Sequence, residues 1–161
     1  MNYKSLALLA SLAILGACAD NAQNSTGAAT GAGSTASTTG GANPGSQQDL
    51  VANVGDRVFF GDDQSSLSSD ARATLDRQAA WLQRYPQVAI QLAGNCDERG
   101  TEEYNLALGQ RRANAARDYL VARGVSGSRV STISYGKERP VALGSDQQAY
   151  AQNRNAITSV Q

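Results

Sequence analysis

The sequence lacks histidine altogether, although the chain is 161 residues long. Histidine is the usual general base near neutral pH and the commonest metal ligand, so its absence removes the most frequent basis for catalysis. An excess of charge of either sign is also missing, because 14 basic residues balance 14 acidic ones. A near-neutral chain has no long-range field to attract nucleic acid or anionic lipid. We therefore expect no nucleic-acid partner, no metal and no other cofactor, and charges that act locally.

Long apolar segments are scarce, and the clearest one lies at the start of the chain. Lys4 precedes an apolar run over residues 6–17 that only Ser11 and Gly16 interrupt. The run is shorter than the roughly 20 residues that span a bilayer. A positive residue followed by a short apolar run is typical of a secretory signal peptide, which we assign to residues 1–17. A buried helix of a cytosolic domain is the alternative, but the segment that follows is not globular in composition.

Only two cysteines occur, and the first ends the apolar run. The residues Leu15-Gly16-Ala17-Cys18 resemble the lipobox of bacterial lipoproteins, in which the cysteine becomes the lipid-bearing first residue. Several acyl chains give a stable membrane anchor, whereas one gives marginal binding. The resemblance implies lipidation at Cys18 and, because Ala19 rather than aspartate follows it, an outer-membrane location with the domain facing the periplasm. Lipidated Cys18 would leave Cys96 without an intramolecular partner; a disulfide between the two is the alternative.

Large apolar side chains are missing from the next segment. Residues 19–48 are mainly Ala, Gly, Ser, Thr, Asn and Gln, which cannot offset the entropy lost on ordering. We interpret residues 18–49 as the lipidated cysteine and a flexible linker. The folded domain is predicted to occupy residues 50–161.

Beyond residue 50, the hydrophobic period alternates between that of strands and that of helices. Short strands are predicted near residues 57–60, 87–93, 129–134 and 156–160. Helices are predicted from a cap at Ser68 or Ser69 to Pro86, from a cap at Thr101 to Gly124, and over residues 146–153. Strands separated by helices predict an α/β fold, a two-layer sandwich with helices packed on one side of the sheet.

The second predicted helix carries an arginine on its apolar face. At about 100° per residue, a face defined by Tyr104, Leu108, Ala115, Ala116 and Tyr119 contains Arg112, with Asn105 beside it, whereas Arg117 lies on the solvent side. A guanidinium on such a face is costly unless a carboxylate or several other acceptors meet it. Its partner is either internal, with Asp97 or Glu98 as candidates, or the carboxylate of a ligand, which arginine can hold through two parallel hydrogen bonds.

Two stretches of sequence resemble the OmpA-like peptidoglycan-binding domain. The first is Gly94-Asn95-Cys96-Asp97-Glu98-Arg99-Gly100-Thr101. The second runs from Tyr104 to Ala115, where Asn105, Leu108, Arg112 and Ala113 match the family pattern. A later segment, Ser134-Tyr135-Gly136-Lys137-Glu138-Arg139-Pro140, resembles the lipoprotein branch of the same family. The resemblance covers about residues 58–160 and implies an OmpA-like domain with a mixed four-stranded sheet.

The same resemblance implies a function. In this family an aspartate and an arginine at the places of Asp97 and Arg112 hold the diaminopimelate of uncrosslinked peptidoglycan stem peptides. The ligand's ammonium would meet the aspartate and its carboxylate the arginine, so that no charge stays unpaired. The residues implied in peptidoglycan binding are Asp97, Arg99, Thr101, Asn105, Leu108 and Arg112. The lipoprotein branch further implies TolB and other Tol components as partners, and a role in outer-membrane invagination at cell division.

Some positions depart from the family pattern. The pattern usually has histidine, alanine and serine where this chain has Asn95, Cys96 and Gly109. The first aspartate of a Phe-Asp-x-Asp pattern is replaced by Gly61, and the last residue of an Asn-Arg-Arg pattern by Asn155. These departures affect contacts around the site, especially those of the first loop, but leave the aspartate and arginine pair intact. Cys96 is interpreted as a small filler, with a reactive thiol as the alternative.

Two other functions are weighed against this one. A different OmpA-like lipoprotein would bind the wall without Tol components, although the segment at residues 135–140 argues against it. A wall-cleaving enzyme would need two opposed carboxylates, whereas Asp97 and Glu98 are adjacent. No histidine is present to activate a serine or cysteine nucleophile. We therefore predict that the chain is not an enzyme.

Overall fold

The structure is a computed structural model, and it describes residues 42–161. The predicted signal peptide, Cys18 and most of the predicted linker lie outside the described residues. Within residues 42–161, no helix is both long enough and apolar enough to cross a membrane.

Helices and strands alternate along the described part of the chain. The helices are α1 (Gln47–Asp49), α2 (Ser69–Arg84), α3 (Glu102–Ala122) and α4 (Gln147–Asn153), and the strands are β1 (Arg57–Phe59), β2 (Ile90–Asn95), β3 (Val130–Gly136) and β4 (Asn155–Val160). A π-helical turn, Leu50–Val54, continues α1, and a 3₁₀ turn, Gly127–Arg129, precedes β3. The predicted α/β class is confirmed.

The four strands form one mixed sheet in the order β1-β4-β2-β3. β4 is antiparallel to both β1 and β2, whereas β2 and β3 are parallel and joined through α3. The register of the parallel pair shifts at its end, where Gly94 pairs with Ser134 but Asn95 pairs with Gly136. Such bulges redirect the chain next to functional sites. Here the shift lies where β2 gives way to the loop that carries Asp97.

The long helices start and stop where their capping residues predict. The Ser68 hydroxyl accepts a hydrogen bond from the Ala71 amide at the start of α2, and Pro86 follows soon after its last residue. The Thr101 hydroxyl caps α3 in the same way, accepting from the Tyr104 amide. Gly124, at a φ of 92°, follows the end of α3 in the left-handed region that glycine tolerates best.

One apolar core joins the two long helices to the sheet. Its largest fully buried apolar side chains are Leu50, Leu75, Leu82, Ile90, Leu92 and Leu120. α3 crosses β2 at a point where two glycines meet: a Cβ on Gly94 would lie 1.8 Å from the Gly109 carbonyl oxygen. The absence of a side chain at both positions therefore lets the helix backbone approach the strand directly, which sets the depth of α3 against the sheet.

Folded contacts begin several residues before residue 50, where the sequence places the start of the domain. The Ser46 hydroxyl caps α1 and accepts from the Asp49 amide. Asp49 is a buried residue, only 8 % exposed, and its carboxylate accepts from the indole nitrogen of Trp81 at 2.9 Å. Hydrogen bonds from the Gly45 amide, Trp81 and Asn53 lower the pKa of Asp49. Residues 45–49 therefore contact the packed unit, and the boundary at residue 50 stays a prediction.

Candidate functional site

Four segments converge on a cleft of about 250 Å³. They are the turn after β1, the loop after β2, the first half of α3, and the junction between α4 and β4. The lining residues are Asp62, Asp63, Cys96, Asp97, Arg99, Gly100, Tyr104, Asn105, Leu108, Arg112 and Arg154. Three aspartates and three arginines are among them, so the cleft is strongly charged yet neutral in sum.

Arg112 lies at the back of this cleft and is almost completely buried. Its guanidinium donates to three backbone carbonyls: Gln64 and Asn95, each at 2.8 Å, and Gly61 at 3.1 Å. A fourth N–H contacts the Cys96 sulfur at 3.4 Å. Burial lowers the pKa of Arg112, although arginine stays protonated at any physiological pH.

The internal partners predicted for Arg112, Asp97 or Glu98, are therefore not its partners in the structure. Neither Asp97 nor Glu98 forms an ion pair with it; several neutral acceptors satisfy the buried charge instead. Of the five N–H groups of a guanidinium, one remains without a partner among the described residues. A ligand carboxylate could use that single N–H, not two parallel ones, unless the surrounding loops rearrange.

Asp97 is held by two other arginines. Its carboxylate accepts from the Arg99 amide, Nε and Nη2 at 3.2, 3.0 and 2.7 Å, and from Arg154 Nη1 at 3.2 Å. Burial alone would raise the pKa of this carboxyl, but the hydrogen bonds from Arg99 and Arg154 outweigh it and hold the pKa below its usual range. Asp97 therefore stays ionised in the interior wall of the cleft.

The other residues implied in binding divide into two groups. Leu108 and Asn105 line the cleft, and the Asn105 amide also donates to the carbonyls of Arg99 and Thr101 at 2.7 and 3.0 Å. Asn105 thereby fastens the loop after β2 to the start of α3. Thr101 does not line the cleft: its hydroxyl caps the helix, so any effect it has on binding passes through the backbone.

Several lining residues were not singled out by the sequence analysis. Arg154 reaches the site from the start of β4, while Asp62 and Asp63 arrive on the turn after β1. Asp63 accepts a hydrogen bond from the Tyr104 hydroxyl, which raises the pKa of the tyrosine. The sequence signal for this turn is the Phe-Asp-x-Asp pattern, in which Gly61 replaces the first aspartate and Asp63 keeps the second. Gly61 contributes its carbonyl oxygen to Arg112 all the same.

Comparison with known proteins places this arrangement in a family. The family model described as the OmpA family matches residues 59–154, which include every cleft-lining residue. The chain belongs to the OmpA family. Within that family it is 54% identical over 157 residues to a protein named peptidoglycan-associated lipoprotein from Rhizobium meliloti, covering 98% of this chain and 86% of the relative. A relative of the same name from Agrobacterium fabrum is 60% identical over 119 residues, covering 74% of this chain and 67% of the relative.

Solved structures agree with this assignment. The chain is similar to the crystal structure of the peptidoglycan-associated lipoprotein from Burkholderia pseudomallei, with a TM-score of 0.64 and 46% identity, covering 66% of this chain and 90% of that one. It shares the fold of the C-terminal domain of Helicobacter pylori MotB, at a TM-score of 0.62 and 22% identity, over 66% of this chain and 84% of that one. The resemblance to peptidoglycan-associated lipoproteins and the OmpA-like fold inferred from sequence are thus confirmed.

Two of the departures from the OmpA family pattern contact each other. The Asn95 side chain donates to the Asn155 side-chain oxygen at 2.8 Å, and both residues are buried. The Asn95 side-chain oxygen has no partner among the described residues. Cys96, also a departure, lies between Arg112 and the Asn105 carbonyl, and burial raises the pKa of its thiol despite the nearby Arg112 charge. A raised pKa disfavours the reactive thiolate, which supports a filling role for Cys96.

Proposed function

We propose that this OmpA-family chain is an outer-membrane lipoprotein whose domain binds peptidoglycan non-covalently. The observation that carries the proposal is the cleft, whose three aspartates and three arginines balance in charge. Such a cleft suits a zwitterionic group, because a ligand with both an ammonium and a carboxylate can pair with protein charges of both signs. The relatives named peptidoglycan-associated lipoprotein support the wall as the source of that group.

The ligand group that we propose is the diaminopimelate of an uncrosslinked stem peptide. Its ammonium would meet Asp97, which stays ionised because its pKa is lowered. Its carboxylate would meet the remaining N–H of Arg112, with Arg154 nearby as a second cation. Leu108 offers apolar contact, and Asn105 and Thr101 hold the loop that presents Asp97 and Arg99.

The membrane and Tol parts of the proposal rest on the family. Lipidation of Cys18 would hold the chain in the outer membrane while the cleft holds the wall, and membership of the Tol system would couple this tether to membrane invagination at division. Capture of TolB from periplasm by the chain would support the Tol role. Wall binding without TolB capture would favour the alternative, an OmpA-like lipoprotein that acts without Tol partners.

The diaminopimelate assignment is tested by changing the ligand and the protein together. We expect the Cys18→Ser chain to bind a disaccharide tripeptide that ends in diaminopimelate, and Arg112→Lys to weaken that binding by about thirtyfold or more, since an ammonium cannot replace a buried guanidinium. Amidation of the carboxylate on the diaminopimelate side chain should weaken binding by the wild-type chain. The same amidation should make little further difference to binding by Arg112→Lys. Isothermal titration calorimetry measures all four affinities.

Arg117→Lys is the matched control, because Arg117 is partly exposed and pairs with Asp118 away from the cleft. Arg112 also holds three backbone carbonyls, so the urea midpoint of each variant is measured to separate lost binding from lost folding. The comparison of amidated with free ligand is made within one variant and does not depend on how stable that variant is. Equal penalties from amidation in both proteins would place the carboxylate elsewhere in the cleft, with Arg154 as the first candidate.

A further inference from the structure

The carboxylate of Asp97 has no acceptor site left for a ligand cation. One oxygen accepts from the Arg99 amide and Nε, and the other accepts from Arg99 Nη2 and Arg154 Nη1. A carboxylate offers about four lone-pair positions, and these four hydrogen bonds use them. An ammonium can therefore reach Asp97 only if it displaces a donor that is already there.

Arg99 is the donor that can leave. Its side chain is 41% exposed, whereas that of Arg154 is 12% exposed and also donates to the Phe60 carbonyl. Arg99 has other contacts that do not depend on Asp97: its two Nη groups donate to the two carboxylate oxygens of Asp62, and its guanidinium lies 4.8 Å from the ring centre of Tyr150. Arg99 can therefore break its side-chain hydrogen bonds to Asp97 and remain paired with Asp62.

We propose that Arg99 competes with the ligand's ammonium for the carboxylate of Asp97, and that Asp62 retains Arg99 when the ligand displaces it. The inference rests on the proposed function, since it concerns the same cleft and the same ammonium. It adds a residue, Asp62, that no part of the sequence analysis placed at the site. It also adds a step: the ligand's ammonium exchanges with a guanidinium, instead of entering beside it.

The exchange keeps every charge paired before and after binding. In the structure, one Arg99 Nη group lies between Asp62 and Asp97, at 2.5 and 2.7 Å from their nearest oxygens. After the exchange, Asp97 would hold the ligand's ammonium together with Arg154, and Asp62 would hold Arg99. A ligand without a cation cannot displace Arg99, so the competitor makes binding selective for peptides whose diaminopimelate amine is free.

Side-chain NMR tests the displacement without altering the cleft. In the ¹⁵N-labelled Cys18→Ser chain, titrated with the disaccharide tripeptide ending in diaminopimelate, the Arg99 Nε–H resonance is expected to shift as its hydrogen bond to Asp97 breaks. Loss of that resonance in Arg99→Gln assigns it. The Arg112 Nε–H, bonded to the Gln64 carbonyl behind the cleft surface, is expected to keep its hydrogen bond and move far less. An Arg99 resonance that stays unchanged at saturation would overturn the proposal.

Calorimetry on Arg99→Gln gives the energetic test. The ion pair of Arg99 with Asp97 is partly exposed and therefore weak, so removal of the competitor should tighten binding by only about two- to fivefold. Arg117→Gln is the matched control: it removes the same charge from a side chain that is 38% exposed and pairs with Asp118, and it should leave affinity unchanged. If Arg99 binds the ligand directly, Arg99→Gln should bind the ligand more weakly than wild type, and if its role is merely structural, the affinity should be equal or lower. Either result overturns the competitor role.

A modified ligand separates failure of this inference from failure of the proposed function. Acetylation of the side-chain amine of diaminopimelate removes the cation but keeps the carboxylate. If acetylation leaves wild-type affinity unchanged, the ammonium does not bind at Asp97, and the proposed ligand pose falls together with the inference. If acetylation weakens binding while Arg99→Gln fails to tighten it, the pose stands and only the competitor role of Arg99 is overturned.

Discussion

At the scale of single residues, Arg112 ties together the backbone segments around the cleft. Its acceptors come from the turn after β1 and from the end of β2, which are far apart in sequence. Each buried N–H would cost about 1–3 kcal/mol if its acceptor were lost. The guanidinium and the backbone segments that accept its hydrogen bonds therefore stabilise each other. The residue that we propose for ligand binding is therefore also the one that shapes the cleft, which is why its test needs a ligand modification as well as a substitution.

Gly94 gives a residue-scale prediction about the support beneath the cleft. A Cβ at this position would lie 1.8 Å from the Gly109 carbonyl oxygen, and backbone atoms cannot turn away as a side chain can. Gly94→Ala must push α3 off β2, and we expect a loss of about 1–3 kcal/mol of unfolding free energy. Urea denaturation followed by circular dichroism measures the change.

Gly127→Ala is the control for this substitution. A Cβ on Gly127 would meet its nearest neighbour, a Val121 methyl group, at an ordinary 3.7 Å. We expect its urea midpoint to match wild type. A Gly94→Ala chain as stable as Gly127→Ala would show that α3 does not rest on the strand backbone as closely as the two glycines indicate.

At the scale of elements, periodicity and capping residues predicted most boundaries within a few residues. The buried face of α3 was predicted less well. Tyr104, placed on the buried face by its aromatic side chain, is 45% exposed and its hydroxyl reaches Asp63 across the cleft. Gly109 and Ala113 are buried instead. A prediction from apolar residues favours large side chains. The buried face of α3 is instead the face whose backbone can approach β2, and small residues permit that approach.

The candidate site divides in the same way between what sequence can and cannot reveal. Asp97, Arg112, Asn105 and Leu108 were found because they lie in two short continuous motifs, and all four line the cleft. Arg154 and Asp62 come from opposite ends of the domain. The pairing of β4 with β2 places Arg154 beside the loop after β2, and the pairing of β1 with β4 brings the turn that carries Asp62 to the same edge. The hydrogen bonds that Arg99 and Arg154 donate to Asp97 could not be predicted either, because a residue pattern does not say which of several arginines pairs with a given carboxylate.

At the scale of the whole molecule, the segment before residue 50 completes the sheet and the core. β1 pairs with β4 only as far as Ile157. Beyond that point the Gln47 side chain substitutes for a strand, donating to the Thr158 carbonyl at 3.3 Å and accepting from the Val160 amide at 2.7 Å. Asp49 meanwhile satisfies the indole N–H of Trp81, the only tryptophan in the sequence. The N-terminal end of the described domain is thus fastened to both layers of the fold.

A pair of fragments tests how much this segment contributes. We expect residues 50–161 to be less stable than residues 42–161, because truncation removes the Gln47 hydrogen bonds to β4 and leaves the Trp81 N–H without its acceptor, a loss of about 1–3 kcal/mol for the buried donor alone. The urea midpoint should fall and the Trp81 emission should shift to the red, since the indole becomes more accessible to water. Binding of the diaminopimelate tripeptide should be unchanged under native conditions, because none of residues 42–49 lines the cleft. Equal midpoints for the two fragments would return the domain boundary to residue 50, as the sequence predicts, and would make residues 45–49 an extension of the linker that merely lies against the fold.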